Sequence, residues 1–206
     1  MTGQNQKPRN DGDREWTAEI MPSVIAALSY LLQRVAEKND ELMRSRPLMR
    51  KYRRKSGFHG LTKPSISIRS YVERIFKYAN CSHSCYIVAY IYLDRFVQKQ
   101  PFSPIDSFNV HRLIITSVLV SSKFMDDKRY NNGYYAKIGG ISGEEMNVLE
   151  MEFLFGLGFQ LNVTPSTFSG YSSFLHSQRS LLPQPSFGIN PRDEESPHRK
   201  QQLAVV

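Results

Sequence analysis

The chain has 206 residues, 40% of them hydrophobic, and a formal net charge of +8. That length allows one domain with tails or two small ones, with enough apolar residues for a real core. Seven of the net eight positive charges, Arg44, Arg46, Arg50, Lys51, Arg53, Arg54 and Lys55, fall in one acid-free stretch, leaving +1 for the remainder and excluding a generally basic folded body. Residues 1–15 are polar and read as a disordered tail. From Trp16 onward Ile20, Val24, Ala27, Leu28, Leu31, Leu32 and Val35 recur at three- and four-residue spacing. This predicts an amphipathic helix over 16–43, with Pro22 in its first turn. A basic linker over 44–64 follows, punctuated by Gly57, Gly60 and Pro64.

A helical domain is predicted over 65–178, since no strand pattern is present and the connections are short. Ile68, Tyr71, Val72, Ile75, Phe76 and Ala79 form one face of its first helix. The next, CYIVAYIYLDRFVQ, has Ser82 as its cap and is apolar on most sides. Ser103, Pro104 and Asp106 read as cap, first-turn proline and first-turn acid of a third helix ending near Asp127. Between Arg112 and Lys123 this stretch carries no charge, and its apolar residues surround the helical wheel, as in a buried central helix. The run is far shorter than the roughly 20 residues that cross a bilayer. Tyr134 to Ile138 suggests a short helix. Ser142-Gly143-Glu144-Glu145 is a capping box that opens a helix to about Gly158. Thr164-Pro165 opens another, to about Ser177. Composition shifts beyond Leu181, and 179–206 reads as a disordered tail.

No catalytic pattern is present. Gly139, Gly140 and Gly143 lack the Gly-Lys-Ser/Thr of a phosphate loop. The five histidines have no paired spacing for a metal, and His111 reads as a structural core residue. Cys81 and Cys85 lack further cysteine ligands, with His83 on the wrong helical face, so they read as ordinary thiols. The sequence thus implies no cofactor and no metal. Scarce cysteine and the lack of a signal-peptide-like start suggest a reducing, intracellular setting.

The helix from Ser142 carries more apolar surface than one core face needs. Met146, Leu149, Phe153 and Leu157 make one stripe; Val148, Met151, Phe155 and Phe159 make a second, with Glu152 in its middle. A carboxylate in an apolar face must be paired if buried, and Lys123 is the natural candidate. Two readings stand: a second core face with an internal ion pair, or a partner-binding surface of apolar anchors around a charge pair. Asp94, embedded in an apolar helix, is expected to pair with a basic residue of the preceding helix, Arg69 or Arg74.

At these residues the sequence resembles the cyclins. Tyr92-Leu93-Asp94-Arg95-Phe96 is similar to the end of the second cyclin-box helix. Ser122-Lys123-Phe124 with Asp126-Asp127 is similar to the end of the third, and Leu149-Glu150-Met151-Glu152-Phe153-Leu154 to the fifth. Phe58-His59-Gly60-Leu61, Ile75-Phe76-Lys77-Tyr78-Ala79, Ser107 to Arg112, Tyr130-Asn131-Asn132, Ala136 to Ser142, Phe155 to Phe159 and Asn162-Val163-Thr164-Pro165 resemble the plant U-type, or P-type, cyclins. These are relatives of the fungal phosphate-signalling cyclins. The resemblance covers about Pro22 to Phe174.

It implies an all-α fold, a single five-helix cyclin box within 65–178 with the N-terminal helix packed on it. It also implies a non-catalytic regulatory subunit that forms a heterodimer with a cyclin-dependent kinase and activates it, in cell-cycle or nutrient-linked control of division. By resemblance Lys123 and Glu152 hold the kinase, with Val120, Phe124 and the second stripe's Phe155 as apolar contacts, and Arg69 is the best match for the Asp94 partner. Met125 replaces an acidic residue common in other cyclins, which bears on which kinase is preferred. The 30 or so residues after the last helix leave no room for a second five-helix repeat.

The tails carry two candidate signals. Arg50, Lys51, Arg53, Arg54 and Lys55 read either as a nuclear-import segment or as a solvated linker, so the expected location is nucleus, cytoplasm or both. Ser196-Pro197-His198-Arg199 has the Ser-Pro-x-basic pattern favoured by cyclin-dependent kinases and makes Ser196 a candidate phosphosite. The alternative function is a cyclin-fold nucleic-acid-binding or transcription factor working through residues 44–55. Charge confined to one segment argues against nucleic acid, and nothing argues for a membrane.

Overall fold

A computed structural model describes residues 11–46, 56–127 and 130–178, with side chains from residue 23 onward. Seven helices and no strand occur among the described residues: α1 (Asp11–Ser45), α2 (Ile68–Tyr78), α3 (Ser84–Lys99), α4 (Val110–Met125), α5 (Asn132–Gly139), α6 (Gly143–Leu157) and α7 (Pro165–Ser177). Helices α2 to α6 form the five-helix unit. α1 packs against α2 and α7, so the first and last helices close over one side of it. No described helix is long and apolar enough to cross a membrane. Most of the basic stretch, including Arg50, Lys51, Arg53, Arg54 and Lys55, lies outside the described residues, as do Ser196 and the tail beyond Gln178.

The first helix departs from expectation at both ends. It begins at Asp11, inside the segment read as a disordered tail, and runs to Ser45. Pro22 therefore lies in the helix interior rather than in its first turn. Val24, Ala27, Leu28 and Leu32 are buried as the spacing predicts, but Val35 is exposed and Ala36, one residue on, is buried in its place.

The central helix α4 packs against α2, α3, α5 and α6. Every residue from Leu113 to Ser122 is buried. Such a helix can hold polar residues only if their bonds are made inside it or to a neighbour. Thr116 Oγ1 donates to the Arg112 carbonyl (2.8 Å), Ser117 Oγ to Ile114 (2.8 Å) and Ser121 Oγ to Val118 (2.9 Å). Ser122 Oγ accepts from Tyr135 Oη (2.7 Å), which fixes α5 on α4. His111 Nε2 lies 3.0 Å from the Ile66 carbonyl, so that nitrogen carries the proton.

Three connections differ from the sequence reading. Ser103 does not start α4; the helix starts seven residues later, at Val110. The backbone between is bound elsewhere: Asn109 Oδ1 accepts from Asp106 N–H (2.8 Å), Asn109 Nδ2 donates to Pro104 O (2.8 Å), and Asp106 accepts from Phe108 N–H (2.9 Å). From α1, Asn39 donates to Ile105 O (2.7 Å) and Asp40 accepts from Ser107 N–H (3.1 Å). The second is the linker, whose end belongs to the fold. Phe58 is 1% exposed and meets Phe96 and Phe153 edge-on, at ring-centroid separations of 5.6 and 6.1 Å. Gly60 N–H donates to Phe108 O (2.9 Å). Likewise Ser82 does not cap α3, which begins at Ser84 with His83 in the cap position.

The C-terminal end of α3 clamps the α6–α7 connection. Tyr92 Oη donates to Leu161 O (2.7 Å), and Arg95 donates to Gln160 O (2.9 Å) and Asn162 O (3.0 Å). Lys99 Nζ donates to Leu157 O (2.6 Å), where a cation suits the last turn of α6. The expected Arg69–Asp94 pair does not form. Arg69 pairs with Glu73 along its own helix at 2.9 Å, and Arg74 reaches Lys137 O (3.2 Å). Asp94 instead accepts from Tyr171 Oη of α7 and from Gln98 Nε2 (2.8 Å). A hydroxyl and an amide satisfy this half-buried carboxylate without the desolvation cost of a second buried ion. Burial, and then the bond to Asp94, push the Tyr171 phenol up to about 12, so it stays a donor.

Two outcomes follow. A Cβ on Gly156 would enter the Phe96 ring, which is stacked on Phe153 and cannot swing away. Gly156→Ala is expected to lower unfolding free energy by about 2 kcal/mol in urea denaturation, and an unchanged midpoint would contradict this packing. Burial holds the His111 imidazole below its ordinary value of 6.5. The unfolded chain then binds the proton first as pH falls, so the stability from neutral His111 is whole above that value and lost progressively below it. The fall in Tm from pH 7 to pH 5 should be shallower in His111→Gln than in the wild type.

Candidate functional site

The site is built where the buried helix α4 reaches solvent. Its last turn carries Lys123, Phe124 and Met125, with Phe124 48% exposed. Beside it, α6 is apolar on two sides. Met146, Leu149, Phe153 and Leu157 are buried against the box, while Val148, Met151 and Phe155 face out. Phe155 is 66% exposed, and Phe159 extends the stripe. Gly158 ends α6 in the left-handed conformation (φ +60°), and Phe159 follows at φ +58°, which brings its ring within 5.2 Å of Phe155 edge-on. The Ser142 cap accepts from Glu145 N–H (3.0 Å), but the Glu145 carboxylate reaches Arg112 instead of returning to the cap. That bond ties the start of α6 to the start of α4.

The charges pair differently from the sequence reading. Lys123 Nζ contacts both carboxylate oxygens of Glu150, at 2.7 and 2.9 Å. Glu150 also accepts from Asn132 Nδ2 (2.7 Å), so α4, α5 and α6 meet at this carboxylate. Glu152 accepts from Gly57 N–H at 2.8 Å. The two glutamates lie about 160° apart around α6, so only one can face α4. Glu152 also borders a cleft with Ser56, Phe96, Gln100, Ser103, Phe155 and Gly156. Val120 is corrected as well: at 2% exposure it supports the face from beneath and offers no contact surface.

Lys123, Phe124, Glu152 and Phe155 thus reach the surface, and Val120 does not. Sequence reasoning does not single out Glu150 or the Gly57 amide. For Glu150 the only signal was a second carboxylate two residues before Glu152. The arrangement offers apolar rings and thioethers, one lysine with a bidentate carboxylate partner, and one glutamate holding a backbone amide. It suits recognition of another protein.

The cyclin family model matches residues 22–161. The chain belongs to the cyclin family. Curated relatives include Cyclin-U4-2 of Arabidopsis thaliana, 70% identical over 170 residues that span 82% of this chain and 76% of that one. Cyclin-U4-3 of Arabidopsis thaliana is 61% identical over 96% of this chain and 95% of its own length. Cyclin-P4-1 of Oryza sativa subsp. japonica is 57% identical over 82% of this cyclin and 79% of that protein. The chain is therefore similar to plant U-type and P-type cyclins, and its helical unit is consistent with the cyclin box.

Glu152→Ala removes the acceptor of the Gly57 amide. Hydrogen exchange at Gly57 should quicken about tenfold, the equivalent of one net hydrogen bond, while the amides of α4 keep their protection. Equal exchange in both proteins would show that the bond does not hold residues 56–60.

Proposed function

We propose that this cyclin binds a cyclin-dependent protein kinase through the face made by Lys123, Phe124 and Met125 of α4 and Met151, Glu152 and Phe155 of α6, and so activates it. Cyclin family membership implies a role in regulating such kinases, and cyclins are regulatory subunits rather than enzymes. The observation that carries the finer reading is the exposed cluster itself. Phe124, Met125, Val148, Met151, Phe155 and Phe159 are each at least 43% exposed, with paired charges among them. Aromatic and methionine anchors around partly desolvated charge are how protein hot spots are built.

The cyclin would supply position rather than chemistry. A protein kinase is active only when its Lys–Glu ion pair and activation loop are in place. A helical surface that binds that arrangement better than the inactive one shifts the population toward it. Here the binding surface is the end of a helix buried on every side, backed by Val120, so it is offered in one geometry.

Lys123→Ala and Glu152→Ala are each expected to weaken affinity for a purified plant cyclin-dependent kinase by about 2 kcal/mol, roughly 30-fold. Phe155→Ala should cost a similar amount. Arg69→Ala, whose side chain pairs with Glu73 on the exposed side of α2, should change nothing. Wild-type affinity in all three face variants, with folding retained by circular dichroism, would overturn the assignment of this face.

A further inference from the structure

The sequence offers Cys81 and Cys85 no third metal ligand. The fold supplies one from 41 residues further on. Asp126, the cap residue that ends α4, lies against the turn from α2 into α3. The two sulfurs and a carboxylate oxygen all lie within 4.8 Å of one another. Cys85 Sγ is 3.4 Å from Asp126 Oδ2. Zinc–sulfur and zinc–oxygen bonds of about 2.3 and 2.0 Å set a tetrahedral ligand–ligand edge of roughly 3.5 Å. That edge therefore already exists, and the third vertex is within a side-chain adjustment of its place.

The surroundings support the ligands. Ser82 N–H donates to Asp126 Oδ2 (2.9 Å) and orients the carboxylate, as partners outside the ligand set do in metal sites. Ser82 Oγ lies 3.3 Å from Cys85 Sγ. Asn80 takes the left-handed conformation (φ +50°), reversing the chain so that Cys81 lies beside the start of α3. Cys85 sits in the first turn of α3, where the helix dipole offsets part of the cost that its burial places on a thiolate. Asp126 sits at the C-terminal end of α4, where the dipole favours a cation. Cys85 is buried, and Cys81 and Asp126 are partly exposed, which leaves a route from solvent.

We propose that Cys81, Cys85 and Asp126 form a site for one zinc-type divalent cation, with the fourth position open to water. Two thiolates and one carboxylate suit a borderline-soft ion better than magnesium or calcium, which take oxygen ligands. Binding displaces the thiol protons to solvent and forms two metal–sulfur bonds and one metal–oxygen bond, with no change of oxidation state. The ion would join the α2–α3 turn to the end of α4, one turn beyond Lys123 and Phe124. The site stands apart from the kinase reading and is tested without a kinase.

The test is a cobalt(II) titration of the full, reduced, metal-free chain. The wild type should bind one equivalent, with a thiolate-to-cobalt charge-transfer band and the visible bands of tetrahedral cobalt, both removed by added zinc. Asp126→Asn keeps the acceptor for Ser82 N–H, and Cys81→Ser alters a half-buried position. Each should weaken binding by at least tenfold, and zinc should raise the Tm of the wild type only. Absence of the charge-transfer band while two free thiols are titrated overturns the proposal. So does unchanged affinity in both variants, which marks binding elsewhere. Recovery of the pair as an intramolecular disulfide, two hydrogens lighter and metal-free, also overturns it and assigns the cysteines to redox chemistry.

Discussion

The burial of α4 on all sides is the constraint on which the rest of this cyclin depends. A helix with no solvent face from Leu113 to Ser122 needs neighbours all round, and α2, α3, α5 and α6 supply them. Its polar residues do not disturb this, because Thr116, Ser117 and Ser121 return their hydroxyl bonds to the preceding turn. Such back-bonding leaves the helix surface apolar to its neighbours. The consequence is felt at the ends. Arg112 at one end and Lys123 at the other are the first charges along the helix, and each finds a glutamate of α6. The two pairs tie the first half of α6 to both ends of the core helix, and so help decide which of its faces is left outward.

That outward face explains what was legible in the sequence. The wheel of α6 shows two apolar stripes where one suffices for a core, and the structure buries the Met146–Leu157 stripe and exposes the Val148–Phe155 stripe. Periodicity reports which residues share a side, and it served equally for α1, α2 and α4. The errors have a different origin. The sequence pairs Lys123 with Glu152 rather than Glu150 because a wheel gives angles within one helix and not the direction of the next. Ser103 reads as a helix cap because cap chemistry is local, while the Asn39 and Asp40 side chains that hold residues 105–107 come from α1. Asp94 calls for a cation because a carboxylate in an apolar helix demands a partner. The partner is Tyr171, 77 residues later.

Phe58 shows the same limit at the level of domain boundaries. It follows a basic stretch and sits between glycines, so local composition reads it as linker. Yet its ring is enclosed by Phe96 and Phe153, from α3 and α6. Aromatic burial of this size outweighs the entropy of ordering a few linker residues. The ordered strand of chain then brings the Gly57 amide to Glu152, so one carboxylate at the edge of the outward face is held by a segment outside the helices.

This pairing bears on how the proposed kinase face would work. Lys123 and Glu152 are not waiting charges: each is bonded in the free cyclin, to Glu150 and to the Gly57 amide. A partner that engages them must replace or share those bonds, so the electrostatic gain is a difference between two satisfied states. The main favourable term would then come from covering Phe124, Met125, Met151 and Phe155, whose exposed apolar surface is worth about 25 cal/mol per Å² when removed from water. The charges would act chiefly on fidelity. A partner that covers the face without matching them leaves a lysine or a carboxylate desolvated with fewer bonds than before, which costs several kcal/mol and rejects the wrong fit. Affinity from the rings and register from the charges is a division of labour that needs the two sets interleaved, and the end of α4 against α6 interleaves them.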